Sequence, residues 1–177
     1  MSRLAKVESF VMASMTTVCL LVFAPSFTQA DQAMPSQRAL MHGKEVYRSA
    51  NCIGCHKWHG TGGGGYGGLA LSLRVTVLDR QGIVEVIRCG RPGTHMPYHD
   101  TKAWDDGRCY GGAKRTDMDP TVFPSFGVSL TEREIQSVTD YVIGVLQGKG
   151  EPTRVECLAF WGNDAVRLCK TYDEPNN

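Results

Sequence analysis

The sequence predicts a helical domain, on two stretches that read as helix and on the lack of strand–helix alternation. A capped amphipathic stretch runs from Thr131 to Gly148, and a second helical stretch runs from Gln37 towards Cys52. Nowhere does the chain alternate regularly between strand-like and helix-like segments, which argues against a βαβ architecture.

The N-terminus is not part of that domain. Arg3 and Lys6 make a positive start, and Phe10 to Ala24 is an almost unbroken apolar run. "FTQA" follows, with small Thr28 and Ala30 placed for cleavage before Asp31. This is the layout of a secretory signal peptide over residues 1–30. The apolar run of 15 residues is shorter than the roughly 20 that span a bilayer, so cleavage rather than a retained anchor is expected. No later stretch is apolar enough to span, so no stable membrane insertion is expected. The expected location is periplasmic or otherwise extracytoplasmic. Cleavage leaves 147 residues, enough for one core, with 17 basic and 17 acidic side chains. There is no basic stripe to suit nucleic acid and no acidic tail.

The first helix is read from "QRALMHGKEVYRSANC". Gly43 and Tyr47 are four apart and share a face. A glycine there lets another helix cross closely, and Tyr141 is a candidate aromatic at the crossing. The chain then reads "NCIGCHKWHGTGGGGYGG", from Asn51 to Gly68.

Cys-x-x-Cys-His is the attachment signature of c-type haem. The two thiols, Cys52 and Cys55, would add to the haem vinyl groups as thioethers, and His56 would lie under the iron as its proximal ligand. The glycines that follow let the chain leave this side as a tight, irregular loop. Two other readings use the same residues. A Cys-x-x-Cys redox pair calls for a thioredoxin-like βαβ context, which is lacking. A zinc site could use Cys52, Cys55, His95 and His99, but the gap between Cys55 and His95 is far longer than in compact fingers.

"DRQGIVEVIRCG" supplies a middle helix, with Asp79 as N-cap and Ile83, Val86 and Ile87 on one face. Its β-branched residues would also suit a strand. "RCGRPGTHMPYHD" then offers a second axial ligand: Met96, in a Gly- and Pro-rich loop. Met118, in the polar stretch "KRTDMDP", is the competing thioether, and His95 or His99 would give a bis-histidine site. Thr131 and Glu134 form a capping box for the last helix, with Leu130 and Ile135 as hydrophobic staple. Its stripe is Ile135, Val138, Val142, Val145 and Leu146, and Gly148 ends it in a left-handed turn.

With these pieces in this order, the chain resembles a class I c-type cytochrome, the monohaem His/Met-ligated type, from about Gln37 to Gly148. The resemblance rests on Gly43 and Tyr47, Cys52-Ile53-Gly54-Cys55-His56, the middle helix, Gly93-Thr94-His95-Met96-Pro97 and the helix from Thr131. It implies an all-α cytochrome c fold, a few helices wrapped round one covalently bound haem c, and so favours helix for the middle segment. It also implies Cys52 and Cys55 as thioether attachments, His56 as proximal ligand and Met96 as distal ligand. The domain is expected over residues 31–150, followed by a C-terminal tail over 151–177 that is clasped by a disulfide.

The chain departs from the family in three places. The family often has a proline in the loop near the proximal histidine; here the stretch is "YGGLALSL", which leaves open what orients the other ring nitrogen of His56. A long insertion, over 97–130, separates Met96 from the last helix and carries Trp104, Cys109, Tyr110 and Phe123. The tail adds Cys157, Phe160, Trp161 and Cys169. Cys19 leaves with the leader, so four cysteines remain outside the haem motif, and they can pair in three ways. Proximity in sequence suggests Cys89–Cys109 and Cys157–Cys169.

The function implied is electron transfer, with no catalytic residues and no bound substrate. The expected partners are redox proteins met transiently: a dehydrogenase or membrane complex as donor, and a cytochrome or oxidase as acceptor. The alternative is a haem enzyme, or a dehydrogenase subunit, whose labile distal ligand gives way to peroxide or a small gas.

Overall fold

The computed structural model describes residues 35–64, 70–162 and 165–172. The leader, residues 1–30 with Cys19, and residues 65–69 of the glycine-rich stretch lie outside the described residues. All described residues belong to one compact unit, Ala33–Asn177. They form helices and loops and contain no strand, only two isolated bridges, Tyr98 to Phe126 and Cys109 to Ala113. None of their helices is long and apolar enough to cross a membrane.

Helix α1 spans Gln37–Ser49, and the Ser36 hydroxyl accepts from the Ala39 N–H at its start (3.2 Å). A single turn, α2, spans Cys52–His56. The middle segment is helical: α3 spans Arg80–Cys89, and the Asp79 carboxylate accepts from the Gly82 N–H at 2.8 Å. Its inner face differs by one position from the expected one. Ile83, Val84 and Ile87 are buried, while Val86 is only partly so. Helix α4 spans Glu132–Tyr141, with the Thr131/Glu134 capping box formed and both Leu130 and Ile135 buried in the core.

Helices α1 and α4 cross at Gly43. A Cβ there would lie 2.0 Å from the Ser137 carbonyl oxygen and 2.8 Å from Tyr141 Cβ, so only hydrogen fits between the two backbones. The Tyr47 and Tyr141 rings meet at the crossing, 5.4 Å between centroids. Val46, Tyr47, Ile83, Ile87, Ile135, Val138, Val142 and Leu146 close the main core. Burying each such side chain stabilises by about 1.5–3 kcal/mol.

The last helix does not end as a regular α-helix. From Val142 to Leu146 it widens into a π turn, and the Gln147 N–H reaches back to the Val142 carbonyl (2.8 Å). Tyr141, Val142 and Leu146 stay buried, whereas Val145 is only partly covered. The chain then turns at Gly148 with φ +72°.

The tail forms α5 (Arg154–Trp161), α6 (Ala165–Leu168) and a 3-10 turn at Lys170–Tyr172. A second capping box, Thr153 with Glu156, starts α5. Disulfides join Cys89 to Cys109 and Cys157 to Cys169, the pairs suggested by proximity in sequence. The insertion has a small core of its own: Cys89, Ala103, Trp104 and Cys109 are buried, with Tyr98, Ala113, Met118 and Phe123 packed around them. Another 3-10 turn, Arg115–Asp117, lies within it.

Candidate functional site

Cys52 and Cys55 lie one turn apart on α2, with His56 next in line. Asn51 before the turn (φ +60°, left-handed) and Lys57 after it (φ +62°) both have positive φ, so the turn does not run on as helix at either end. Helix α1 fixes its far end. The buried Tyr47 hydroxyl donates to the Lys57 carbonyl at 2.8 Å. Burial above all, then the nearby Cys52, Tyr141 and Cys55, pushes that phenol's pKa up, so it remains a donor.

Both motif cysteines are unpaired, although the other four described cysteines form disulfides. Burial, with a smaller push from Cys55 and against a backbone hydrogen bond, raises the Cys52 thiol to about 12. A redox-active thiol needs the opposite shift, because the thiolate is the nucleophile.

The His56 ring is oriented by the main chain. Its Nδ1 lies 2.9 Å from the Leu71 carbonyl oxygen. A carbonyl only accepts, so Nδ1 carries the proton and Nε2 keeps a free lone pair. Burial lowers the ring's pKa, partly opposed by this hydrogen bond, which favours the neutral, ligating form. Leu71 stands in the proline-free stretch "YGGLALSL", and its backbone supplies the acceptor there.

The glycine-rich loop delivers that carbonyl. The Gly63 N–H donates to the Ala70 carbonyl (2.8 Å), the Gly64 N–H to Cys55 (3.1 Å) and the Leu73 N–H to Gly60 (2.7 Å). Gly62 sits at φ +73°, and a Cβ on it would lie 2.2 Å from the Ala70 oxygen. A side chain there would push the returning strand of the loop, and with it Leu71, away from His56.

Met96 lies partly buried in a separate loop after α3. Its N–H donates to the Thr94 hydroxyl oxygen (3.1 Å), and its carbonyl accepts from the Arg91 N–H (3.1 Å). The Thr94 hydroxyl in turn donates to the Arg91 carbonyl (2.8 Å). Of the other candidate ligands, Met118 packs in the insertion's own core and His95 is exposed. His99 is buried, with Nδ1 2.7 Å from the Val128 carbonyl oxygen. Among the described residues no three His, Cys, Asp or Glu side chains converge, so Cys52, Cys55, His95 and His99 are not gathered as a zinc site would need. Two free thiols one turn apart, beside an imidazole with one nitrogen already occupied, fit a covalently attached haem.

Sequence reasoning missed Arg74, the one charged residue in the run "LALSLRVTVL". It is buried. Its guanidinium donates to the carbonyl oxygens of His59 (3.0 Å) and Gly150 (2.5 Å), and to both Glu156 carboxylate oxygens (3.0 and 3.2 Å). It thus ties the loop beyond His56 to α5. A lone charge in an apolar run was the available signal, because such a charge is seldom buried unpaired.

Among known families, the Cytochrome c family model matches residues 40–145, more than half of the chain. No curated protein and no solved structure matches significantly.

Proposed function

The chain belongs to the cytochrome c family, and on that premise we propose that it is a soluble, extracytoplasmic carrier of single electrons on one covalently bound haem c. Members of this family typically carry electrons. In this reading Cys52 and Cys55 would make the thioether links to the haem, and His56 Nε2 and the Met96 sulfur would hold its iron. The observation that carries it is the selective pairing of the cysteines: Cys52 and Cys55 stay free within Cys-x-x-Cys-His while the other four described cysteines are oxidised. The haem supplies an Fe(III)/Fe(II) couple, whose potential a His/Met ligand pair raises.

The protein's part is to hold the ligands. The Leu71 carbonyl keeps the His56 ring in one tautomer, Tyr47 anchors the turn that carries it, and Thr94 shapes the Met96 loop. Partners are redox proteins: an extracytoplasmic dehydrogenase or membrane complex as donor, and a cytochrome or oxidase as acceptor. Their contacts are small and short-lived, as suits rapid turnover.

The test is a visible spectrum of the purified protein. Sharp reduced bands that survive acid-acetone extraction are expected, because the haem is covalent. The weak sulfur-to-iron band of the oxidised protein should vanish in Met96→Ala and persist in Met118→Ala. Met96→Ala should also lower the potential and admit carbon monoxide. Extractable colour would overturn covalent attachment. Carbon monoxide binding by the reduced wild type, without the sulfur band, would favour the haem enzyme with a labile ligand.

A further inference from the structure

The insertion grips the Met96 loop from both ends. On the near side, the Cys89–Cys109 disulfide joins it to the end of α3, and the buried Trp104 indole donates to the Cys89 carbonyl (3.1 Å). The Tyr110 hydroxyl donates to the carbonyl of Gly90. Gly90 lies directly against the loop, and a Cβ on it would be 2.8 Å from the Met96 carbonyl oxygen. On the far side, the Gly93 N–H donates to Val122 (2.7 Å), Tyr98 N–H to Ser125 (3.0 Å) and Gly127 N–H to Tyr98 (2.9 Å).

Tyr110 is the unusual member of this set. Its φ is +43°, in a region that a bulky side chain adopts only when its surroundings impose it. What imposes it is visible. The disulfide holds Cys109, the residue before it, and the Tyr110 N–H donates to the Glu85 carboxylate on α3 (2.8 Å). The strained backbone aims the phenol at Gly90. Tyr110 is therefore clamped at both ends, between α3 and the first residue of the distal loop.

We propose that Tyr110 is a positioning residue for the distal ligand: its hydroxyl pins Gly90 so that the Met96 loop opens rarely and the thioether stays in place. The proposal rests on Met96 as distal ligand. It gives the insertion a role, to hold the loop that carries Met96.

The experiment compares Tyr110→Phe with wild type and with Thr131→Ala, which weakens α4 at its cap without touching the loop. Two quantities are measured on the haem-loaded protein: the rate at which imidazole displaces the distal ligand in the ferric state, and amide deuterium uptake across residues 90–98. Tyr110→Phe should raise the imidazole rate about three- to tenfold, the effect of losing one net hydrogen bond, and raise deuterium uptake with it. Thr131→Ala should change neither. Rates and uptake within about twofold of wild type in Tyr110→Phe would overturn the proposal, as would an equal rise in Thr131→Ala. Faster uptake without faster imidazole binding would overturn the assignment to the distal ligand. In that case, absence of the sulfur-to-iron band in wild type would trace the failure to Met96, and its presence would trace it to Tyr110.

Discussion

The His56 Nδ1 is held by the carbonyl oxygen of Leu71, 2.9 Å away, and by no side chain. The Leu71 side chain itself is exposed, at 62% of its full area. Leu71→Ala should therefore leave the ring's tautomer intact and change stability by less than about 0.5 kcal/mol. Nitrogen-15 NMR of the imidazole checks this through the Nδ1–H signal. Loss of that signal in Leu71→Ala would mean that the side chain, and not the backbone, sets the loop.

Gly43→Ala should be far more damaging. Its Cβ would fall 2.0 Å from the Ser137 oxygen, and a backbone atom in a packed helix has nowhere to retreat. Helices α1 and α4 would have to separate, disturbing the Tyr47–Tyr141 contact between them. The cost should be about 3 kcal/mol or more, read from urea unfolding. A change below about 1 kcal/mol would show that the helices do not cross here.

Arg74→Leu should release the tail. The substitution removes both Arg74 donations to the half-buried Glu156, which keeps only its capping bonds from Thr153, and strips the carbonyls of His59, Gly150 and Glu151 of a donor, at a cost of about 1–3 kcal/mol. Limited proteolysis should then cut between Gly148 and α5, where wild type resists. Arg74→Lys should rescue little, since an ammonium cannot serve acceptors spread around a planar guanidinium. Equal resistance in all three proteins would count against the clamp.

Stability should fall as the solution is acidified through the ordinary histidine range, with His99 a main cause. Its ring is buried at 3% exposure. Burial first, against the hydrogen bond to Val128, lowers its pKa from the usual 6.5. The unfolded chain then binds a proton more readily than the folded one. The contribution is complete above about pH 6.5 and declines below it. His99→Gln, which can keep a donor towards Val128, should flatten the slope of unfolding free energy between about pH 6.5 and 5. An unchanged slope would place the titration elsewhere.

Features that depend on neighbours in the chain were legible in the sequence. A capping box needs only Thr131 and Glu134 three residues apart, and Asp79 caps α3 on the same terms. The second box, Thr153 with Glu156, is written in the sequence on the same terms. Cys52, Cys55 and His56 were legible because attachment chemistry demands that spacing on a single turn. Gly43 and Tyr47 also spoke through helical spacing, since four residues return to the same face.

What the sequence by itself determined, then, was the helices, the attachment motif and the ordered pieces of a cytochrome c. Tertiary structure alone decided what those pieces touch. A backbone carbonyl has no identity in a sequence, so nothing in "YGGLALSL" could name Leu71 as the partner of His56. Arg74 meets Glu156 across 82 residues, and Tyr110 meets Gly90 across 20, distances at which periodicity carries no information. The π turn at Val142–Leu146 is likewise invisible locally: the same residues would pass for ordinary helix. The reason is physical. Local spacing dictates which face a side chain occupies, but only the packed chain brings remote donors and acceptors within hydrogen-bond reach.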